Sequence, residues 1–417
     1  MARLALFYPG TETGGAEWLL ARLATALAGR GHEVILIDGP AGVIRAMLSD
    51  TRVEYRQTSL GHPVALDVDA LMSFASHLRT LDRWVHVPPQ TRLLFWSVHA
   101  YNTIFLPPMV GNRLADRGLP MLRAMNRLFF RAEDQAQSRA VAHLRQRHAL
   151  ACMDGENAET IARYYGGAAD APLLPIPLPL MPEAAERAPE VAPKQLELFW
   201  YGRLCDFKTP GLLHLMADLQ RSGRARSVQL QVIGDGPDRS TVEQHARACG
   251  LQVKMLGTMA NADALNLIGR QAHLVCAMGT AALEAAALQR PTVLMPPCYG
   301  SLPADYRYRW LQQAEQFSIG RFVNARTRTE GLTLGQVLDT VADPVQASAC
   351  GRAGRQHVLQ HHAMPQVAAA AEALLMDSDV RASAYFEAVE YRRSSLILGA
   401  GLASARVCRR ILAMRKS

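Results

Sequence analysis

Two doubly wound α/β domains are the fold class this sequence predicts, and three observations predict it. Apolar runs of strand length alternate with helix-like segments over most of the chain, the pattern of parallel strands covered by helices. The stretch "APLLPIPLPLMPEAAERAPEVAPKQ" interrupts that alternation near the middle, with seven prolines in 172–193. Proline removes backbone donors and resists helix, so this stretch reads as a linker. Finally, 417 residues are too many for one ordinary core. The expected boundaries are a first domain over 1–180, a linker over 181–195, a second domain over 196–375 and a basic helical tail over 376–417 that packs back on the N-terminal domain or on a membrane.

In chain order, "RLALFYP" reads as the first strand, followed by a glycine turn and the helical pattern "AEWLLARLATALAGRG". "HEVILIDG" is the second strand, and "LLFWSVHA" and "ALACMD" are later strands of the same half. The second series comprises "LELFWYG", "VQLQVIGDGP", "VKMLGT", "AHLVCAM" and "PTVLMPP", each followed by turn residues or a helical pattern. A cleft between the two domains is expected. No repeat of 20 to 50 residues is present, which argues against a solenoid.

Composition narrows the class. With 49% hydrophobic and 20% charged residues, the chain is globular in type. It has no uninterrupted apolar run of about 18 residues, so no spanning helix is expected. The start, with Pro9 and two glycines, lacks the continuous apolar core of an export signal and reads as a strand. Seven scattered cysteines, none spaced as CxxC, point to reduced thiols in the cytoplasm. The net charge of +8 is regional. Residues 113–148 hold eight arginines against Asp116, Glu133 and Asp134, a local +5. Residues 385–417 hold seven Lys/Arg against Glu387 and Glu390, another +5, leaving the remainder near −2. Specific basic surfaces are therefore expected rather than general stickiness.

Three stretches carry chemistry. In "TGGAE", Gly14 and Gly15 stand between the first strand and its helix, where glycine permits close approach and positive φ and a helix N-terminus attracts phosphate. A tight turn, with Glu17 favoured by the helix dipole, explains the same residues. In "YGRLCDFK", Arg203 and Lys208 follow a strand end, where open α/β sheets bind ligands, and two cations there could neutralise a diphosphate. Ordinary surface cations are the other reading. In "VCAMGTAALEAAALQRPTVL", Thr280 is expected to cap a helix, and Gly279 and Thr280 offer backbone donors. Glu284 lies about one turn in, either as a dipole-stabilised carboxylate or as an acceptor for two vicinal hydroxyls, as an acid does for a ribose. "VIGDGP", with Gly234, reads as a strand-to-helix turn lining the cleft. His99 ends "FWSVH".

In this order and spacing, "GGAE", "GR-L-x-x-x-K", "VIGDGP" and "MGTAALEAAALQRPTV" resemble the GT-B glycosyltransferases, specifically the large retaining family 4, over roughly residues 1–375. The resemblance implies two doubly wound Rossmann-like domains facing each other across a cleft, the first on the acceptor side and the second binding nucleotide-sugar. It implies that Gly14 and Gly15 approach the donor diphosphate and that Arg203 and Lys208 neutralise it. Glu284 would hold the ribose, Gly279 and Thr280 would donate to phosphates or sugar, and His99 would face the transferred sugar. The sequence departs from the family at Cys276, where many members carry a glutamate followed by Gly-Phe-Gly. Here "CAMG" stands instead, so Cys276 would alter the donor-sugar pocket. An isolated cysteine in an apolar strand is otherwise a small hydrophobe.

The basic segments 113–148 and 385–417 interleave arginines with apolar residues, a pattern suited to an anionic membrane surface or to a solvated face over ordinary packing. No helix-turn-helix, RNA-stacking signature or zinc module accompanies them, so nucleic acid is not expected as a partner. The implied activity is transfer of a sugar, with retention, from a nucleotide-sugar to a glycan or lipid-linked acceptor in polysaccharide or lipopolysaccharide assembly. The nucleotide-sugar serves as co-substrate, with no metal and no further cofactor. The implied location is the cytoplasm, peripheral on the inner face of the membrane. A sugar-nucleotide epimerase and a non-catalytic nucleotide-sugar-binding subunit are the alternatives. A Rossmann oxidoreductase fits less well, because "GTETGGAE" is not GxGxxG.

Overall fold

The first strand, β1 (Arg3–Phe7), is buried almost throughout and feeds the helix α1 (Gly15–Gly29). The architecture is that of a computed structural model, which describes residues 1–11, 14–48, 50–99, 101–106, 118–179 and 195–389. Residues 181–194 of the expected linker (181–195), residues 113–117 of the first basic segment and residues 390–417 of the tail lie outside the described residues.

The chain divides into two units. After α1 the first unit adds β2 (Glu33–Asp38), β3 (Val53–Gln57), β4 (Val64–Ala65), β5 (Ala70–Phe74), β6 (Val85–His86), β7 (Arg92–Ser97) and β8 (Leu150–Cys152). Six of these strands form one parallel sheet in the order β3-β2-β1-β5-β7-β8, and β4 pairs with β6 separately. Helices α2 (Leu119–Phe129) and α3 (Arg131–Arg145) precede β8, and α4 (Gly155–Tyr165) follows it. Asp154 caps α4 by accepting from the Asn157 backbone N–H. Chain order reverses between β1 and β5, because β2 and β3 lie on one side of β1 and the later strands on the other. In open parallel sheets ligands bind outside the carboxyl ends at such a reversal.

The second unit repeats the plan with β9 (Leu196–Tyr201), β10 (Val228–Ile233), β11 (Val253–Gly257), β12 (Leu274–Ala277), β13 (Thr292–Leu294) and β14 (Arg309–Trp310). Their order is β11-β10-β9-β12-β13-β14, parallel except for the antiparallel edge strand β14, with the reversal between β9 and β12. Helices α5 (Thr209–Arg221), α6 (Arg239–Ala248), α7 (Asn261–Gln271), α8 (Thr280–Ala287), α9 (Leu334–Ala342) and α10 (Pro344–His361) complete it. One apolar core, including Leu198, Trp200, Leu230 and Leu274, packs between this sheet and its helices. Each such side chain taken from water contributes roughly 1.5–3 kcal/mol.

The second unit ends at Ala363, not at 375 as expected, because the chain returns to the first unit through α11 (Met364–Asp377) and α12 (Ala382–Ala388). The return is held by specific bonds. The Ser378 hydroxyl donates to the Leu93 carbonyl at 2.7 Å, and the Leu93 N–H donates to the Val380 carbonyl at 2.9 Å. Tyr385, fully buried against Phe95, donates to the Leu78 carbonyl at 2.6 Å. Glu372 pairs with Arg30 and with His32. His32 thereby ties α11 to the turn before β2.

Candidate functional site

The carboxyl edge of the second sheet, at the reversal between β9 and β12, gathers four of the expected residues: Arg203, Lys208, Thr280 and Glu284. Two stacked turns build it. Gly202 donates to the Ile233 carbonyl at 3.0 Å, Leu204 to the Asp235 carbonyl at 3.0 Å, and Gly234 to the Gly257 carbonyl at 2.8 Å. Gly234 has φ +131°, and a Cβ there would sit 2.2 Å from the Gly202 carbonyl oxygen. Only glycine lets the "GDG" turn lie this close under the loop that carries Arg203. Gly234 was expected to contact a donor. Its N–H is engaged by Gly257, so its role is to hold the neighbouring loop in place.

Arg203 is exposed on that loop, while Lys208 is half-buried at the start of α5 with its Nζ 5.8 Å from the Phe207 ring centroid. Burial lowers the Lys208 pKa, the Cys205 thiol pushes it up and the Arg203 charge pushes it down. An anion bound to both cations would relieve their repulsion and replace the water that Lys208 has lost.

Across the reversal, α8 starts at Thr280 with Gly279 as N-cap at φ +65°; Thr280 is the first helical residue and not the cap. A single left-handed residue turns β12 into its helix, a conformation glycine adopts without the Cβ clash. The Gly279 N–H donates to the Ile319 carbonyl at 3.0 Å, which corrects the expectation that it serves a ligand. The N–H groups of Thr280 and Ala281 then open the helix, where no intrahelical acceptor exists. Glu284 lies beyond the first turn and is 4% exposed. Its Oε2 accepts from the Asn261 Nδ2 at 3.1 Å and the Tyr201 hydroxyl at 3.3 Å, and Asn261 also donates to the Tyr201 oxygen at 3.0 Å. A buried carboxylate needs such donors, since an unpaired one costs several kcal/mol.

Cys276 corrects a further expectation. It lies in β12, is 1% exposed and belongs to the apolar core with Trp200 and Met278; burial pushes its thiol up to about 12. It packs as a small hydrophobe rather than lining the ligand edge.

The remaining expected residues, Gly14, Gly15 and His99, belong to the first unit. Gly14 caps α1 in extended backbone (φ −158°) and Gly15 is the first helical residue, so neither adopts the positive φ that was expected. Both nonetheless stand at the carboxyl end of β1, beside that sheet's reversal, with Glu17 in the first turn. His99 follows β7. Its Nδ1 accepts from the Tyr101 N–H at 3.2 Å, and burial lowers its pKa to about 4. The imidazole is therefore neutral at physiological pH, with its proton on Nε2.

Sequence reasoning missed Tyr201, Asn261 and His77. Tyr201 was legible as the last residue of "LELFWY", one position before the Gly-Arg pair. Asn261 carried no local signal. His77 follows β5 at the reversal of the first sheet, 5.4 Å from the Phe7 ring and 5.9 Å from the Tyr8 ring, and burial lowers its pKa to about 4. It escaped notice because "ALMSF" does not read as a strand. Among the described residues, no three His, Cys, Asp or Glu side chains gather as a metal-holding cluster.

No protein-family model and no curated protein sequence matches the chain. Solved structures do. HepE of Anabaena in complex with UDP superposes with a TM-score of 0.56 at 12% identity, covering 90% of this chain and 100% of that one. A TarM variant of S. aureus, in complex with Fondaparinux, α-GlcNAc-glycerol and UDP, gives 0.58 at 9% identity over 90% and 100%. WaaG, a glycosyltransferase involved in lipopolysaccharide biosynthesis, gives 0.52 at 15% identity over 89% and 99%. At these identities the likeness is one of fold, and that fold is GT-B, with two Rossmann-like domains.

Proposed function

We propose that this GT-B chain is a glycosyltransferase that moves a sugar from a nucleotide-sugar donor to a glycan or lipid-linked acceptor, in cell-surface polysaccharide or lipopolysaccharide assembly. One observation carries the reading. At the reversal of the second sheet, the cations Arg203 and Lys208 follow β9 while the buried carboxylate Glu284 follows β12. A nucleoside diphosphate has both complements, an anionic diphosphate and a vicinal diol. Structures of the same fold hold UDP, UDP with glucose, or UDP-glucose, which supports a UDP-type donor.

In this reading Arg203 and Lys208 stabilise the charge that develops on the departing diphosphate, without need of a metal. Glu284 holds the ribose, and the Thr280 N–H adds a donor at the helix start. His99, neutral, keeps the role the family resemblance implies, toward the transferred sugar. The proposed course is front-face attack with retention, as the family resemblance implies: the leaving phosphate takes the acceptor proton, and the protein supplies alignment. The first unit is the acceptor-side domain. Its helix α2 exposes Met121, Leu128 and Phe129 and carries Arg123 and Arg127, which suits peripheral contact with an anionic membrane. Among the described residues no helix is long and apolar enough to cross one. The alternative of a non-catalytic subunit rested on Cys276, a core residue that leaves the cations and Glu284 in place.

The test is nucleoside diphosphate release from donor with and without acceptor. Release that requires acceptor, and falls about 10²–10³-fold in Arg203→Ala and in Lys208→Ala at unchanged melting temperature, supports transfer. Near-normal turnover in both variants, or epimerisation of donor alone, sinks it.

A further inference from the structure

Glu284 does not stand by itself. It is held by two side chains from two other loops, one at the end of β9 and one at the start of α7, while Glu284 itself is on α8. The Asn261 amide donates to Glu284 Oε2 at 3.1 Å and to the Tyr201 oxygen at 3.0 Å, and the Tyr201 hydroxyl donates to the same Oε2 at 3.3 Å. We propose that Tyr201 and Asn261 are positioning residues that orient the Glu284 carboxylate for the donor's ribose, so that selectivity for ribose over a deoxy sugar depends on both. This rests on the reading of Glu284 as the ribose ligand.

Three observations point to positioning rather than incidental contact. A free glutamate side chain loses rotamer freedom on being fixed, and two donors converging on one oxygen restrain it before ligand arrives. The N-cap of α7 is Ala260, and Asn261, at the first helical position, directs its amide to both Tyr201 and Glu284. The segment around Glu284, "TAALEAAA", is otherwise small and apolar, and five of its eight residues besides Glu284 are buried. A carboxylate there must be compensated, and the compensation comes from Tyr201 at the end of β9 and Asn261 at the start of the helix that follows β11.

The experiment measures dissociation constants by calorimetry for UDP, GDP and ADP, and for the 2′,3′-dideoxy form of whichever binds tightest. Wild type is compared with Tyr201→Phe, Asn261→Ala, their double variant and Glu284→Ala. The expected result is roughly tenfold weaker ribonucleotide binding in Asn261→Ala, somewhat less in Tyr201→Phe, and a double variant no worse than Glu284→Ala. Dideoxynucleotide binding should stay within about twofold throughout, since a hydrogen bond the ligand cannot make cannot be lost. Equal weakening of both nucleotides would mean a merely structural role and would overturn the inference. Selective loss in Glu284→Ala without loss in Tyr201→Phe or Asn261→Ala would overturn it and leave the ribose reading standing. Unchanged ribonucleotide binding in Glu284→Ala, or no nucleotide binding in wild type, would remove the ribose reading and the inference with it.

Discussion

At the residue scale, burial sets the protonation of several groups, and Asp154 gives the clearest consequence. It is 2% exposed, caps α4, and accepts from the Asn157 backbone N–H at 2.8 Å and the Asn157 amide at 2.7 Å. Burial outweighs those bonds and raises its pKa from 3.8 to about 6. Because the folded pKa lies above the unfolded one, folding takes up a proton. The associated stability is fully present below the unfolded pKa and is lost as pH rises through about 6. Asp154→Asn keeps a good cap and removes the titration. Urea unfolding should therefore show the variant gaining on wild type by up to about 3 kcal/mol between roughly pH 4 and pH 7.5. A pH-independent difference would contradict the assignment. At this same scale, the places of Arg203, Lys208 and Glu284 beyond the carboxyl ends of β9 and β12 were legible, because their motifs follow apolar strands. The strand-end place of Tyr201 was legible, but its bond to Glu284 and that of Asn261 were not, because they span 83 and 23 residues and leave no periodicity in the sequence.

Among elements, the continuous apolar runs were legible as strands, including "ALACMD", whereas β3, "VEYRQ", and β5, "ALMSF", were not. "LELFWY" and "VQLQVI" announce themselves by composition, whereas β5, "ALMSF", is built from residues that favour helix and becomes a strand because both its faces are buried. The turn after β10 shows how elements position the site. In Gly234→Ala the new Cβ would meet the Gly202 carbonyl at 2.2 Å, from a backbone at φ +131°. The loss should be about 2–4 kcal/mol, and because the displaced backbone leads into Arg203, nucleotide binding should weaken as well. Gly223, at φ +69° with nothing within 4 Å, is the control, and Gly223→Ala should cost only about 1–2 kcal/mol with binding unchanged. Chemical denaturation beside a binding titration separates the two, and equal effects of both substitutions would contradict the packing argument.

For the whole molecule, two domains were legible from alternation and the proline-rich stretch, and a tail over 376–417 packing back on the N-terminal domain or on a membrane was expected, but the return of residues 364–375 to the first unit was not legible. Residues 364–388 have ordinary helical periodicity, which says nothing about the sheet they cover. Their placement on the first unit depends on Ser378 meeting Leu93 and Tyr385 meeting Leu78, contacts 285 and 307 residues apart in sequence. Both units keep the same strand order and the same point of reversal, and the second holds the cation pair and the clamped carboxylate there. The central claim is that this edge binds a nucleotide-sugar. Thermal unfolding of the full chain with UDP-, GDP-, ADP- and CMP-sugars tests it most directly, because a ligand at 100 times its Kd stabilises the folded state by about 2.7 kcal/mol. The account predicts that one donor raises the melting temperature with increasing concentration, by several degrees (about 2–4 °C per kcal/mol), and that the Arg203→Ala/Lys208→Ala double variant loses the shift. No shift with any of the four, or an equal shift in the double variant, would contradict it.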